Sequence, residues 1–359
     1  MPEIRASQPS IQTEVAVRET QPQAGAAPAE ISAMRKFLLS RSDSALTDRL
    51  FHWLMVLCAV SIFAIVGLIA WRLMVSSQIT WDKFGLGFFY KSFVDPVTNR
   101  TMYWDPVNEQ FSALPFVYGT LVSSLLALLI SVPLGVGLAI FMTEMCPKSL
   151  RGPLAFLTEL LAAIPSIVYG LWAIFVLVPL LREHVNPILV TLLGWTGLAT
   201  DDNPTGLGFF ASGVILSIMI LPIISSLTRE VMSAVPHSQR EAVLALGATR
   251  WEMIRMGVLR NARIGIVGGI ILGLGRALGE TMAVTMVIGN TPEIHKSILA
   301  NGTSMAAVIA NEFSEAVSDV HRSALIEIGL ALFILTIIVN AIAQLLVWAV
   351  TRGTPSQAH

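Results

Sequence analysis

Along the chain, long uncharged runs alternate with short segments that hold nearly all the charge. A helix needs about 20 mostly apolar residues to cross a bilayer, and six runs are long enough. Four of them, between Arg49 and Arg72, between Glu109 and Glu144, between Glu159 and Arg182, and between Asp202 and Arg229, carry no charge at all. The fifth, Ile264 to Pro292, holds only Arg276 and Glu280, and the sixth, Ile328 to Thr351, holds none. This pattern predicts an all-α polytopic membrane protein with spans at about 50–71, 115–142, 160–181, 205–228, 264–290 and 328–351. The stretch from His184 to Thr200 is shorter and is broken by Pro187, Gly194 and Gly197. It reads as an extracytoplasmic or interfacial segment.

Composition agrees. Of 359 residues 54% are hydrophobic and 13% charged, about half the ~25% charge of soluble domains. Mean hydropathy is +0.70. The net charge of −1 gives no bias toward nucleic acid. Cys58 and Cys146 fit neither a disulfide framework nor a zinc site, and the six histidines show no ligand spacing, so no metal site is expected.

Six spans put both termini on one side, and Lys and Arg counts decide which. With both inside, the cytoplasmic pieces carry 15 Lys and Arg and the outer pieces 7, which favours cytoplasmic N and C termini. Residues 1–49 then form a cytoplasmic tail, 50–352 the transmembrane domain and 353–359 a second tail. Residues 1–30 are polar and read as disordered, with no apolar core early enough for a signal peptide. Residues 31–49 read either as an amphipathic helix on the membrane face or as a polar lead-in.

The fifth span concentrates the chemistry. Gly265, Gly269 and Gly273 form a GxxxGxxxG row, and Gly275 and Gly279 a further GxxxG pair, a spacing that lets membrane helices approach closely. At about 100° per residue, with Gly265 as origin, Gly269 and Gly273 fall at about 40° and about 80°, Arg276 at about 20° and Glu280 at about 60°. Both charges therefore share the glycine stripe. A charge facing lipid costs roughly 2.5–3.5 kcal/mol or more, so this stripe faces protein or a wet cavity. Arg276 and Glu280 are also one turn apart and can pair. Two readings remain: a buried salt bridge that fixes packing, or a path charge that meets an ionic substrate. Thr281 and Thr285 fall on the opposite side of the same wheel, off the stripe, and carry less weight as hydroxyl donors.

The loop 229–263 is the longest internal cytoplasmic piece. Pro236 can open a short helix and Gly247 can end it through a left-handed cap. Trp251, Ile254 and Leu259 follow among basic residues. A helix–Gly–helix of this kind suits docking into a partner's groove.

Glu241-Ala242-Val243, three residues and then Gly247 resembles the E-A-A…G signature of ABC importer permeases. Leu259 matches the continuation of that pattern, while Gly257 and Arg260 depart from its Ile-x-Leu-Pro end. Residues 268–285, with Gly-Arg-Ala-Leu-Gly-Glu-Thr at their centre, and Ile164-Pro-Ser-Ile-Val-Tyr-Gly170 closely resemble the phosphate-specific (Pst-type) importers, in the permease subunit of the PstC type. The resemblance covers about residues 50–352. It implies a type I importer permease fold and a cell inner-membrane location. It also implies a partner permease of the PstA type, two ATPase subunits that use ATP and Mg, and an extracytoplasmic phosphate-binding protein. Glu241, Ala242, Gly247, Trp251 and Leu259 would couple to the ATPase. Arg276, Glu280, Ser166 and Thr281 would line the substrate path. The chain has no GxxxxGK[ST] loop, so ATP hydrolysis is expected on another subunit and no cofactor is expected here.

Ser166 follows Pro165, where a broken helix frees N–H groups for an anion; a packing kink is the plainer reading. Glu159 and Glu327 read as interfacial charges. His321 and Arg322 lie where a binding protein could meet them. The rivals are a permease for sulfate or molybdate, an ion-coupled secondary transporter, and a membrane sensor whose loop docks a regulator.

Overall fold

The computed structural model describes residues 44–94, 101–200 and 203–351. The expected tails at 1–30 and 353–359, and most of the segment 31–49, lie outside these residues. The chain divides into two compact units, residues 1–67 and 68–359. In the first, the described residues belong to helix α1, Ser44–Ser76, and its large apolar side chains, such as Trp53 and Phe63, are exposed.

The second unit is a helical bundle. After α1 come α2 (Gln78–Phe84) and two short antiparallel hairpins, β1–β2 (Phe93–Val94 with Thr101–Met102) and β3–β4 (Trp104–Asp105 with Gln110–Phe111). The continuous helical run α3 is Leu114–Met145, followed by α4, Lys148–Ala163. Then come α5 (the run Ser166–Thr196), α6 (Phe209–Ser233), α7 (His237–Ala245) and α8 (the run Arg250–Gly279). Short helices α9 (Met282–Val287) and α10 (Met305–Glu312) precede α11, Asp319–Thr351. Six of the helical segments are long and apolar enough to cross a membrane.

Helix α6 is the hub. In its most apolar stretch 61% of residues are buried, against 33% or less in the other five long helices. Small residues set its crossings. A Cβ added at Gly213 would lie 2.7 Å from Leu126 Cβ of α3, and one at Gly135 of α3 would lie 3.0 Å from Ile224 of α6. On the other flank, Gly265, Gly269 and Gly273 of α8 lie against Val231, Leu227 and Ile224. Close backbone approach is what lets membrane helices gain dispersion energy, since lipid already satisfies their apolar side chains.

Two helices differ from the sequence pattern. The predicted span 160–181 is divided at Ile164–Pro165. Proline lacks an N–H and disfavours helical backbone in the residue before it, and Ile164 is extended at φ −67°, ψ 129°. Residues 148–163 form α4, which buries no residue in this chain. The membrane-length helix starts at Ser166 and runs to Thr196, through most of the 184–200 stretch expected outside the bilayer. Pro187 fits because it lies in the first turn of the α-helical piece that follows a wide turn, Leu181–Val185, and the helix stops at Gly197, φ +74°. The fifth predicted span, 264–290, is likewise broken, at Glu280 (φ −70°, ψ 127°), while its helix reaches back to Arg250.

At one end of the bundle a second core gathers Phe88, Trp104, Phe111, Phe116, Met305 and Leu325. His321 belongs there. Its ring stacks on Phe111 at 5.2 Å, and its Nε2 lies 3.0 Å from Glu312 Oε2, which also accepts a hydrogen bond from Trp104 Nε1 at 2.7 Å. Rather than standing free to meet a partner, His321 is 7% exposed, whereas Arg322 is exposed and donates to the Ala316 carbonyl. Glu327 is not an interfacial charge either: it is 1% exposed.

Candidate functional site

Two helix breaks lie side by side. A Cβ added at Gly170 of α5 would come within 2.6 Å of Met286 Sδ and 3.2 Å of Ala283 Cα, both on α9. Farther on, Ala173 and Leu177 share a core with Val287. The first turns of α5 therefore pack directly against α9.

The break before α5 centres on the Leu161 carbonyl, which keeps only a long backbone hydrogen bond from Ile164 N–H, at 3.4 Å. Leu161 C=O would ordinarily accept from the N–H four residues on, but that residue is Pro165. The Tyr169 hydroxyl supplies a second and shorter hydrogen bond to it, at 2.7 Å. Tyr169 also lies within the electrostatic reach of Arg276. Sequence reading missed this tyrosine, although its signal was present: a proline four residues after the acceptor and four before the donor.

Arg276 occupies the last turn of α8 and is exposed; Glu280 and Thr281 are half-buried. Arg276 and Glu280 make no ion pair or hydrogen bond with each other. The expected one-turn pairing fails because α8 ends at Gly279 and Glu280 is extended, so the helical angles do not continue past the break. The angular positions inferred for Glu280, Thr281 and Thr285 lose their meaning with it. Thr285 Oγ1 donates to the Thr281 carbonyl at 2.7 Å, and Thr281 Oγ1 to the Gly279 carbonyl at 3.4 Å. Ser166 is half-buried at the first turn of α5, where backbone N–H groups have no helical partner. Arg276 thus stands exposed at the end of α8, with no ion pair among the described residues.

The five glycines divide. Gly265, Gly269 and Gly273 pack on α6, whereas Cβ atoms added at Gly275 and Gly279 would meet nothing within 4 Å. The second pair has no packing role among the described residues.

At the other end of α8, Pro236 precedes α7 and Gly247 ends it with φ +82°. Thr249 then opens α8 with a capping box: its Oγ1 accepts from the Glu252 N–H, and Glu252 accepts from the Thr249 N–H at 2.8 Å. From there the helix runs unbroken to Gly279, so Gly257 and Arg260 end nothing and the second amphipathic turn is the start of α8 itself. Glu241, Ala242, Gly247 and Trp251 are exposed, Leu259 is half-buried, and Ile254 is 4% exposed in a core with Met232, Val235 and Val258.

The comparisons with known proteins agree with this architecture. The profile of the family described as binding-protein-dependent transport system inner membrane component matches residues 131–352. The chain is 44% identical over 314 residues to the phosphate transport system permease protein PstC of Mesorhizobium japonicum, covering 86% of this chain and 93% of that one. It is 42% identical over 303 residues to the protein of the same name from Haemophilus influenzae, covering 84% and 93%. A crystal structure of a bacterial ABC transporter involved in the import of the acidic polysaccharide alginate superposes with a TM-score of 0.51 at 16% identity, over 84% of this chain and 98% of that one, which speaks for the fold alone. The chain belongs to the binding-protein-dependent transport system inner membrane components, the type I ABC importer permeases with six membrane-spanning helices.

Proposed function

We propose that this chain is the permease subunit that carries inorganic phosphate through the membrane in an ATP-driven importer. Its relatives at 44% and 42% identity are phosphate transport permeases matched over 93% of their length. The observation that carries the local chemistry is Arg276: an exposed, permanently charged group with no ion partner among the described residues, in the last turn of α8 before its break at Glu280. A guanidinium offers a planar fork to two oxygens of an oxyanion. The free N–H groups and hydroxyl at Ser166 would add donors at the positive end of α5. Thr281 stands at the matching break. Glu280, four residues from Arg276, would offset its charge so that the anion leaves again; conduction requires binding weak enough for release.

Arg276 and the unpacked Gly275 and Gly279 open onto a face that a second permease subunit would complete. The exposed surface at Glu241, Ala242, Gly247 and Trp251, with Leu259 behind it, would receive the ATPase. Two ATPase subunits would hydrolyse ATP with Mg, and an extracytoplasmic binding protein would deliver the cargo. Both termini would then be cytoplasmic. In the assembled complex Arg276→Gln should abolish phosphate uptake while assembly persists. Normal uptake in that variant would remove Arg276 from the path.

A further inference from the structure

Arg240 precedes Glu241 on α7 but points the other way. Its side chain is 11% exposed, and that of Glu144, in the last turn of α3, is 9% exposed. Arg240 Nη2 and Nε donate to Glu144 Oε1 at 3.0 and 3.3 Å. Nη2 also donates to the Met232 carbonyl at 2.9 Å, and Nη1 donates to the Val235 carbonyl. Met232 lies in the last turn of α6, and its carbonyl would ordinarily accept from residue 236, which is proline. One guanidinium therefore joins the end of α3, the end of α6 and α7, using donors in the fixed fork that only arginine supplies.

A second clasp holds the same helix to α8. Asn261 Nδ2 donates to Gln239 Oε1 and to the Gly257 carbonyl, both at 2.7 Å. α7 and α8 lie in ordinary contact here: a Cβ added at Gly257 would lie 3.4 Å from Val243 Cγ2. The opposite surface of α7 and its cap, at Glu241, Ala242, Leu244, Leu246 and Gly247, is exposed.

We propose that Arg240 is a positioning residue for energy coupling, with Glu144 as its partner, resting on the reading of α7 as the helix that meets the ATPase. A helix as short as α7, pushed on its exposed face, can slip or tilt alone. Fastened through Arg240, it moves as one body with the inner ends of α3 and α6, so displacement at the ATPase contact becomes displacement of the spans. A buried ion pair contributes little net stability compared with apolar packing, because desolvation offsets the attraction. Its fixed geometry is what serves transmission.

The test uses the complete complex in proteoliposomes, reading ATP hydrolysed per phosphate imported for the wild type, Glu144→Gln, Arg240→Gln and the double variant. Glu144→Gln keeps the shape and an acceptor while removing the charge. The ratio is expected to rise at least about fivefold in Glu144→Gln and in the double variant, the lower range of coupling between sites, with ATP hydrolysis per assembled complex preserved. Arg240→Lys should recover only part of the loss. A wild-type ratio in assembled Glu144→Gln and double-variant complexes would overturn the proposal, even if Arg240→Gln alone failed to assemble through its uncompensated carboxylate. A wild-type complex that imports no phosphate would instead overturn the transport reading, before any variant is compared.

Discussion

The contact between α8 and α6 permits a graded test of close helix packing. A Cβ placed on Gly265 would lie 2.9 Å from Val231 Cβ and 2.6 Å from its Cγ1, with Cγ2 closer still. Rotating the valine about χ1 moves its methyls but not its Cβ. Ordinary contact begins near 3.4 Å, so the backbones must separate by about half an ångström. Overpacking of this kind costs about 1–3 kcal/mol. Gly265→Ala should therefore lower the melting temperature of the detergent-solubilised complex by about 2–12 °C, using the roughly 2–4 °C per kcal/mol of larger domains. Gly268, one turn along the same helix, has nothing within 4 Å of its Cβ position. There alanine should be neutral or slightly stabilising, since glycine inside a helix costs about 0.5–1 kcal/mol relative to alanine. Equal melting temperatures for the two variants would refute the packing argument.

Three further outcomes follow from individual contacts. Tyr169→Phe removes the shorter of two hydrogen bonds to Leu161 C=O, leaving the Ile164 N–H at 3.4 Å; losing one such bond costs about 0.5–1.5 kcal/mol, and thermal unfolding of the complex should show it, while an unchanged transition would mean that the break is held by other contacts. Gly247→Ala meets no steric obstacle but must adopt φ +82°, at about 1–2 kcal/mol, so ATPase binding should weaken in a co-purification titration; unchanged affinity would remove the cap from the coupling surface. Lys83 donates to Glu109 at 2.9 Å and holds that carboxyl below its ordinary pKa. A depressed pKa contributes stability above the unfolded-state value and loses it as pH falls through the folded one. The melting difference between wild type and Glu109→Gln should therefore shrink on acidification, and a widening difference would contradict the sign.

The long apolar runs are readable because a bilayer demands length, and Pro165 marks its break because proline removes a specific N–H. The break at Glu280 has no such mark. Gly279 is a poor helix former, but glycine recurs throughout this span and does not single out one position, and the interruption coincides with the packing of α9 on Gly170, a tertiary contact that no window of sequence contains. That difference dissolves the Arg276–Glu280 pair inferred from the helical wheel and leaves the arginine open. The glycine row was legible as a close-approach surface, but its direction was not: three glycines face α6 and two face away. In the loop, Pro236 and Gly247 announce α7 through backbone geometry. The periodicity of Trp251, Ile254 and Leu259 suggested one shared docking face, yet Ile254 is claimed by the chain's own core. Arg240 escaped notice because its partner, Glu144, lies 96 residues earlier at the end of another helix.

The central claim is that an oxyanion path lies beside Arg276 and selects phosphate. It is tested most directly by ATP-dependent uptake of labelled phosphate, sulfate and molybdate into proteoliposomes holding the reconstituted complex, wild type beside Arg276→Gln. Uptake of phosphate in preference to the other two, abolished in the variant while the complex stays assembled, is the expected result. Uptake of sulfate or molybdate in preference to phosphate, or phosphate uptake indifferent to the loss of Arg276, would contradict it.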